Sequence, residues 1–125
     1  MTLFERAGGE PALRAVLGTF YDAVFDDVMI GFFFRASDKE RLIQKELELA
    51  AVALGATHLR YTGEPLGAAH ARHPILGGHF ERRLQLLREA MAAHGLPEDV
   101  QAAWVAHTQA LRPAITADRG TACDH

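Results

Sequence analysis

His70 is the side chain in this sequence best suited to chemistry, because it lies in an apolar run of small residues. Residues 66–69 precede it, and Pro65 and Pro74 bound the short helix predicted to carry it. A neutral imidazole is a good ligand for iron and for other transition metals. A histidine on an apolar helix face is more often hydrogen-bonded inside a core, so the spacing alone leaves both interpretations open.

Two further polar side chains fall on predicted core faces. Tyr21 lies near the end of an amphipathic stripe, and its hydroxyl is a neutral donor at pH 7 because a tyrosine titrates near ~10. Glu46 interrupts the apolar stripe of a later helix, where a carboxylate is costly to bury unless it is paired or protonated. The simpler interpretations are a core aromatic and a glutamate at the stripe edge that reaches solvent or a neighbouring helix.

Several common site types are excluded by the motifs that the sequence lacks. It contains no H-E-x-x-H or E-x-x-H pattern, no G-x-S-x-G and no phosphate-binding glycine loop. Cys123 and His125 are too few and too close to the end of the chain for a structural zinc site. The catalytic machinery of hydrolases, nucleotide-binding enzymes and di-iron carboxylate proteins is therefore not indicated, and we assign no catalytic residue.

The composition is that of one soluble domain. The chain has 125 residues, of which 49% are apolar and 23% charged, and its net charge is −3. Its basic residues are scattered, which argues against a nucleic-acid partner or an anionic membrane surface. No apolar run is long enough for a signal peptide or a membrane span, and a single cysteine suits a reducing compartment. We expect a cytoplasmic monomer.

Apolar residues at helical spacing predict five or six helices and no convincing strand. A capping box of Thr2 and Glu5 opens a very short first helix that ends at Gly8. The second helix carries a clear core stripe and stops near Asp26. The stripe consists of Leu13, Val16, Leu17, Phe20, Tyr21 and Val24.

The helices are expected to be joined by corners and glycine loops. Residues 28–34 are interpreted as an interhelical corner that delivers three phenylalanines to the core. A capping box of Ser37 and Glu40 predicts a third long helix that ends at Gly55. The remaining helices are predicted around His70, from Gly77-Gly78 to His94-Gly95, and from Pro97 onwards.

The order of these motifs resembles the truncated haemoglobins, most closely group I. The specific part is Y-T-G-E-P-L-G-A-A-H, residues 61–70, with Phe80 ten positions on. A glycine pair, an F-Y pair, an F-F corner and a helix ending in A-L-G come before it in the same order. The resemblance implies an all-α, two-over-two helical sandwich around one b-type haem per chain, with a globin domain at 1–116 and a flexible tail at 117–125.

The resemblance also assigns roles position by position. His70 matches the ligand of the haem iron, and Tyr21 matches the tyrosine on the opposite, ligand-binding side. The other positions expected at the haem are Phe34, Leu42, Lys45, Glu46, Tyr61, Leu66 and Phe80. The haem would be held without covalent attachment, because one cysteine cannot form a C-x-x-C-H site.

Two positions depart from the family pattern. Glu46 stands where a glutamine or another neutral polar group is usual, and an ionised carboxylate would repel bound oxygen. We therefore expect Glu46 to be protonated or to turn away towards Lys45, and ligand kinetics to depend on pH. Lys45, once deprotonated, could itself take the sixth iron position. Ala50 replaces the bulky phenylalanine that often gates the ligand tunnel in group I, so gating is not carried over.

The sequence leaves three candidate functions to compare. The first is reversible binding of oxygen, with nitric oxide and carbon monoxide as alternative gaseous ligands, for transport or storage. The second is nitric oxide dioxygenation, which needs an unidentified external reductase. The third is a haem-free helical interaction module in which His70 is a core residue. A Soret absorption band separates the third from the other two.

Overall fold

Helices make up nearly all of the regular structure in this computed structural model, which describes residues 1–63 and 77–115. Within those ranges there is no β-strand. The elements in chain order are α1 (Leu3–Ala7), α2 (Gly9–Asp26), a 3₁₀ turn (Gly31–Phe33), α3 (Lys39–Ala53), α4 (Gly77–Ala93), α5 (Glu98–Ala110) and α6 (Arg112–Ile115). The all-α prediction is confirmed, while the predicted helix around His70 and the tail at 117–125 lie outside the described residues.

The junction of α1 and α2 follows from its capping residues. The Thr2 hydroxyl accepts a hydrogen bond from the Glu5 backbone N–H at 3.1 Å, and a Glu5 carboxylate oxygen accepts from the Thr2 backbone N–H at 2.8 Å. Gly8 ends α1 at φ +110°, where a side chain would also meet the Ala12 Cβ. The predicted capping box and glycine stop are therefore confirmed.

Helix α2 is the central element of the fold. All six residues of its predicted stripe are buried, and α2 packs against both α3 and α4. Helix α5 in turn packs against α1, α3 and α4. Leu13, Val16, Leu17 and Phe20 are fully shielded from solvent, so the centre of the core lies along this face of α2.

The corner after α2 differs from its prediction in where its phenylalanines point. The segment is an interhelical turn, as predicted, but Phe32 is 55% exposed, and Phe33 and Phe34 are only half-buried. Gly31 allows the turn because a Cβ there would lie 2.7 Å from the Phe25 carbonyl oxygen. The corner therefore presents its aromatic rings at the edge of the core instead of inserting all three.

The start of α3 also differs from its prediction by one residue. Asp38, not Ser37, is the N-cap, and its Oδ1 accepts from the backbone N–H groups of Glu40 and Arg41 at 3.0 and 3.3 Å. Further along α3, Glu48 is buried, which is uncommon for a glutamate.

The buried side chains form two clusters. The larger one includes the α2 face, and the smaller one consists of Phe80 and Leu84 on α4. Phe34 and Val105 pack against both clusters. None of the helices in residues 1–63 and 77–115 is long and apolar enough to cross a membrane.

Candidate functional site

Tyr21 lies in an aromatic environment near the C-terminal end of α2. It is 4% exposed, and its ring makes edge-to-face contacts with Phe20 at 4.8 Å and with Phe34 at 6.5 Å between centroids. Burial raises the pKa of Tyr21 to about 12. The hydroxyl therefore remains a neutral hydrogen-bond donor throughout the physiological pH range.

Arg83 is the closest charged partner of this tyrosine, and sequence reasoning missed it. The residue lies on α4, one turn after Phe80, and is 8% exposed. Its Nη2 lies 3.0 Å from Glu46 Oε1, and its guanidinium sits 5.0 Å from the centroid of the Phe20 ring. Its charge also reaches Tyr21, where it opposes part of the rise in the pKa of the hydroxyl that burial causes. Three helices, α2, α3 and α4, therefore converge on one guanidinium.

The charge of Arg83 also acts on the Tyr21 hydroxyl. Burial raises the pKa of Tyr21, and the nearby guanidinium opposes part of that rise. A neutral hydroxyl close to a cation is polarised, so Tyr21 is suited to donate a hydrogen bond to a third group.

Glu46 has a different partner from the one expected. The sequence suggested that it is protonated or turns towards Lys45, whereas the structure pairs it with Arg83. Its side chain is 12% exposed and that of Arg83 is 10% exposed, so the contact is shielded from most of the solvent. The positive charge of the guanidinium compensates the repulsion that an unpaired carboxylate would exert on a bound ligand.

Lys45 points to the loop before residue 64. Its Nζ hydrogen-bonds Thr62 Oγ1 at 2.5 Å and lies 3.9 Å from Glu48 Oε1. These contacts hold the Lys45 Nζ at Thr62 and Glu48. Lys45 would have to give up both contacts before it could bind iron, so they argue against Lys45 as a sixth iron ligand.

Glu48 joins α3 to the same loop from a buried position. Its Oε1 accepts from both the backbone N–H and the hydroxyl of Thr62 at 2.8 Å, and its Oε2 accepts from Gln44 at 2.9 Å. Gln44 in turn accepts from Arg14 on α2 at 2.7 Å. Burial favours a raised pKa for Glu48, but the bonds from Gln44 and Thr62 outweigh it and lower the pKa overall.

Apolar side chains from several elements line the region next to Tyr21. Phe80 is fully buried, and the Arg112 guanidinium lies 5.3 Å from the centroid of its ring. Phe34 contacts Tyr21 on one side and packs against the cluster of Phe80 on the other. Leu42 on α3 is half-buried and packs at the edge of the larger cluster. Phe34 therefore brings Tyr21 and Phe80, which were predicted from separate motifs, to one region of the fold.

The structure describes only one of the three remaining predicted residues, Tyr61. Tyr61 is half-buried in the loop next to Thr62, where its ring lies against the backbone of Gly63. His70 and Leu66 lie outside the described residues, so their positions stay predictions. In the part of the chain that the structure describes, no three histidine, cysteine, aspartate or glutamate residues come together as a metal site.

This all-helical fold, with α2 as its centre and an aromatic-lined polar site beside α4, defines a protein of the globin class. A family profile for bacterial-like globins matches residues 2–117. The group 1 truncated haemoglobin of Mycolicibacterium paratuberculosis is 32% identical over 114 residues, which cover 91% of this chain and 83% of that protein. The chain belongs to the bacterial-like globin family and is similar to its group 1 truncated haemoglobins.

Other relatives and solved structures agree. The group 1 truncated haemoglobin of Synechocystis is 30% identical over 103 residues, covering 79% of this chain and 82% of that protein. The truncated haemoglobin of Tetrahymena pyriformis in its Fe(III) form superposes with a TM-score of 0.84 at 22% identity, over 93% of this chain and 98% of that one. The 2/2 haemoglobin of Synechococcus superposes with a TM-score of 0.78 at 23% identity, over 90% of this chain and 94% of that one. The two-over-two fold is thereby confirmed.

Membership of the globin family brings haem b as the cofactor, and the described residues fit it. A haem is a largely apolar disc, and the rings of Phe34 and Phe80 supply apolar surface beside the polar group of Tyr21, Arg83 and Glu46. Nitrogen and oxygen donors meet there without forming a metal-binding cluster of their own. The family pattern assigns the role of iron ligand to His70, which lies outside the described residues.

Proposed function

We propose that this protein reversibly binds oxygen, with nitric oxide and carbon monoxide as competing ligands, on a haem iron held by His70. Globin family membership implies haem-based gas binding. Oxygen as the principal ligand is our inference from the polar group described above. The observation that carries it is Tyr21, a buried hydroxyl that burial keeps neutral and that lies among the rings of Phe20 and Phe34.

The protein side chains contribute orientation, shielding and a proton donor. When bound, the haem would supply the iron that takes the gas, and His70 would hold it. Tyr21 would donate a hydrogen bond to the gas, and such a bond slows release by about 10- to 100-fold if it contributes roughly 1.5–3 kcal/mol. The buried ring of Phe80 and the half-buried ring of Phe34 would keep bulk water away from the haem.

The decisive experiment compares the absorption spectra of the ferric, ferrous and carbonyl forms. The parent and a His70→Ala variant are purified and reconstituted with hemin, with His94→Ala as the matched control because that histidine is exposed beside Thr19. We expect a Soret band in the parent and the control. His70→Ala should lose it or shift it. A colourless parent, or a His70→Ala spectrum identical to that of the parent, contradicts the proposal.

Nitric oxide dioxygenation is the second candidate, and Arg83 is the observation that favours it. The reaction combines oxygen and nitric oxide into nitrate, an anion, and leaves ferric iron, which an external one-electron donor must reduce. A buried guanidinium stabilises negative charge that develops during such a reaction. Nitric oxide consumption measured with and without a reductant distinguishes this activity from simple gas binding.

A further inference from the structure

The buried guanidinium of Arg83 gives this ligand site a positive charge. Its side chain is enclosed by the Phe20 ring, the Tyr21 hydroxyl and the Glu46 carboxylate, which belong to α2 and α3. Burial favours a lowered pKa for Arg83, and the charge of Glu46, with the contributions of Tyr21, raises it instead. The positive charge therefore persists at any pH at which the protein is folded.

We propose that Arg83 is a specificity-determining residue of the ligand site, where it favours ligands that carry negative charge on the atom furthest from the iron. This inference rests on the proposed function. The favoured class comprises oxygen, which gains negative charge when ferrous haem binds it, and small inorganic anions such as azide in the ferric state. Carbon monoxide, which stays nearly neutral, gains little from the cation.

The contacts of Arg83 explain how it acts. Its guanidinium lies over the ring of Phe20, the residue before Tyr21, and its charge polarises the Tyr21 hydroxyl. It also carries a full positive charge in a region largely shielded from solvent, where charges interact more strongly than in water. Each effect stabilises an anionic ligand more than a neutral one.

Glu46 sets the strength of this effect. Its Oε1 lies 3.0 Å from the Arg83 Nη2, so the carboxylate offsets part of the positive potential. Replacing it with glutamine keeps the size and the polar character of the side chain but removes the negative charge. The inference therefore predicts opposite changes for the two members of the pair, whereas a merely structural ion pair predicts the same loss of stability for both.

The test measures azide affinity of the ferric protein and the carbon–oxygen stretching frequency of the carbonyl form. Arg83→Met is compared with Arg82→Met, the neighbouring arginine, which pairs with Asp27 at 2.8 Å and is 36% exposed. We expect Arg83→Met to weaken azide binding by about 10- to 100-fold, the range for hydrogen bonds to charged groups. The stretching frequency should rise, because the positive potential at the outer oxygen is lost. Arg82→Met should leave both values at those of the parent.

Two more variants keep the test decisive if Arg83→Met does not fold. Arg83→Lys retains the charge and should keep most of the azide affinity, and Glu46→Gln should bind azide more tightly than the parent. If Arg83→Met is too unstable to purify, Arg83→Gln takes its place: it should bind azide more weakly than the parent, whereas Glu46→Gln should bind azide more tightly. Variants that change only the free energy of unfolding, with azide affinity and stretching frequency unchanged, overturn the inference. A parent without a Soret band instead overturns the proposed function itself.

Discussion

Glu46 on α3 and Arg83 on α4 form an ion pair with a separation of 3.0 Å, and nine-tenths of each side chain is shielded from solvent. The two residues are 37 positions apart in the sequence, so the contact links two helices that both pack against α2. A glutamate that looked unfavourable in isolation is thus stabilised by a cation from another helix.

The first prediction concerns the stability that this pair contributes. Removing one partner of a buried ion pair leaves an uncompensated charge and costs about 3–5 kcal/mol, whereas replacing both partners by apolar residues is often nearly neutral. We expect Arg83→Met to lower the free energy of unfolding by about 3 kcal/mol. The double variant Arg83→Met/Glu46→Leu should recover most of that loss in urea denaturation. A double variant less stable than both single variants would contradict this account.

The second prediction concerns the hydroxyl of Tyr21. Tyr21→Phe removes the donor and keeps the ring that packs on Phe20 and Phe34. We expect the oxygen dissociation rate, measured by stopped flow, to rise by about 10- to 100-fold. The dissociation rate of carbon monoxide in the same variant is the control and should change much less. Equal changes for both gases would show that the substitution acts on packing and not on a hydrogen bond.

Local patterns were enough to predict α2 and the core face of α4. Every residue of the Leu13–Val24 stripe is buried, because apolar residues three and four apart lie on one helix face regardless of what packs against it. Phe80 was found in the same way. The glycine stop of α1 was also predictable, since a left-handed backbone position selects glycine locally.

Contacts between distant segments were not predictable from such patterns. Arg83 occupies a core position, three residues after Phe80 and four before Leu87, and its type suggested a solvent-facing side chain. Only a carboxylate from α3 makes that burial tolerable, and no local signal shows which distant residue provides it. Glu48 was missed for the same reason, because its partner is the backbone of Thr62. One signal could have located both residues. Each is a charged residue at a position where the helical spacing of the apolar residues predicts a core side chain.

The third prediction separates two adjacent candidates for the N-cap of α3. Ser37 and Asp38 both belong to the residue types that cap helices, and the structure selects Asp38, whose extended backbone (φ −80°, ψ 114°) is that of an N-cap residue. We expect Asp38→Ala to lower the free energy of unfolding by about 1 kcal/mol. Ser37→Ala is the matched control and should have a clearly smaller effect. If Ser37→Ala lowered the free energy of unfolding more than Asp38→Ala in urea denaturation, the helix would start one residue earlier.

The fourth prediction concerns the buried carboxylate of Glu48. Its pKa in the folded protein is lowered, against the effect of burial, by the hydrogen bonds from Gln44 and Thr62. A lowered folded-state pKa means that the unfolded chain binds the proton more readily, so folding is favoured at pH values above the ordinary carboxyl pKa. That stability is lost progressively as the pH falls below the ordinary value of 4.5 towards the folded-state pKa.

Glu48→Gln removes this titration and the charged acceptor of Thr62 while preserving the size of the side chain. We expect the variant to be less stable than the parent at pH 7, and the difference between the two free energies of unfolding to shrink as the pH falls below about 4.5. Glu89→Gln is the control, because that glutamate is exposed on α4 and bonds only Gln85 among the contacts described. Urea denaturation at pH values from 7 down to 3 measures both differences. A Glu48→Gln difference that stays constant over this range would show that the carboxylate contributes through packing alone, because a contribution from its charge must disappear when both states are protonated.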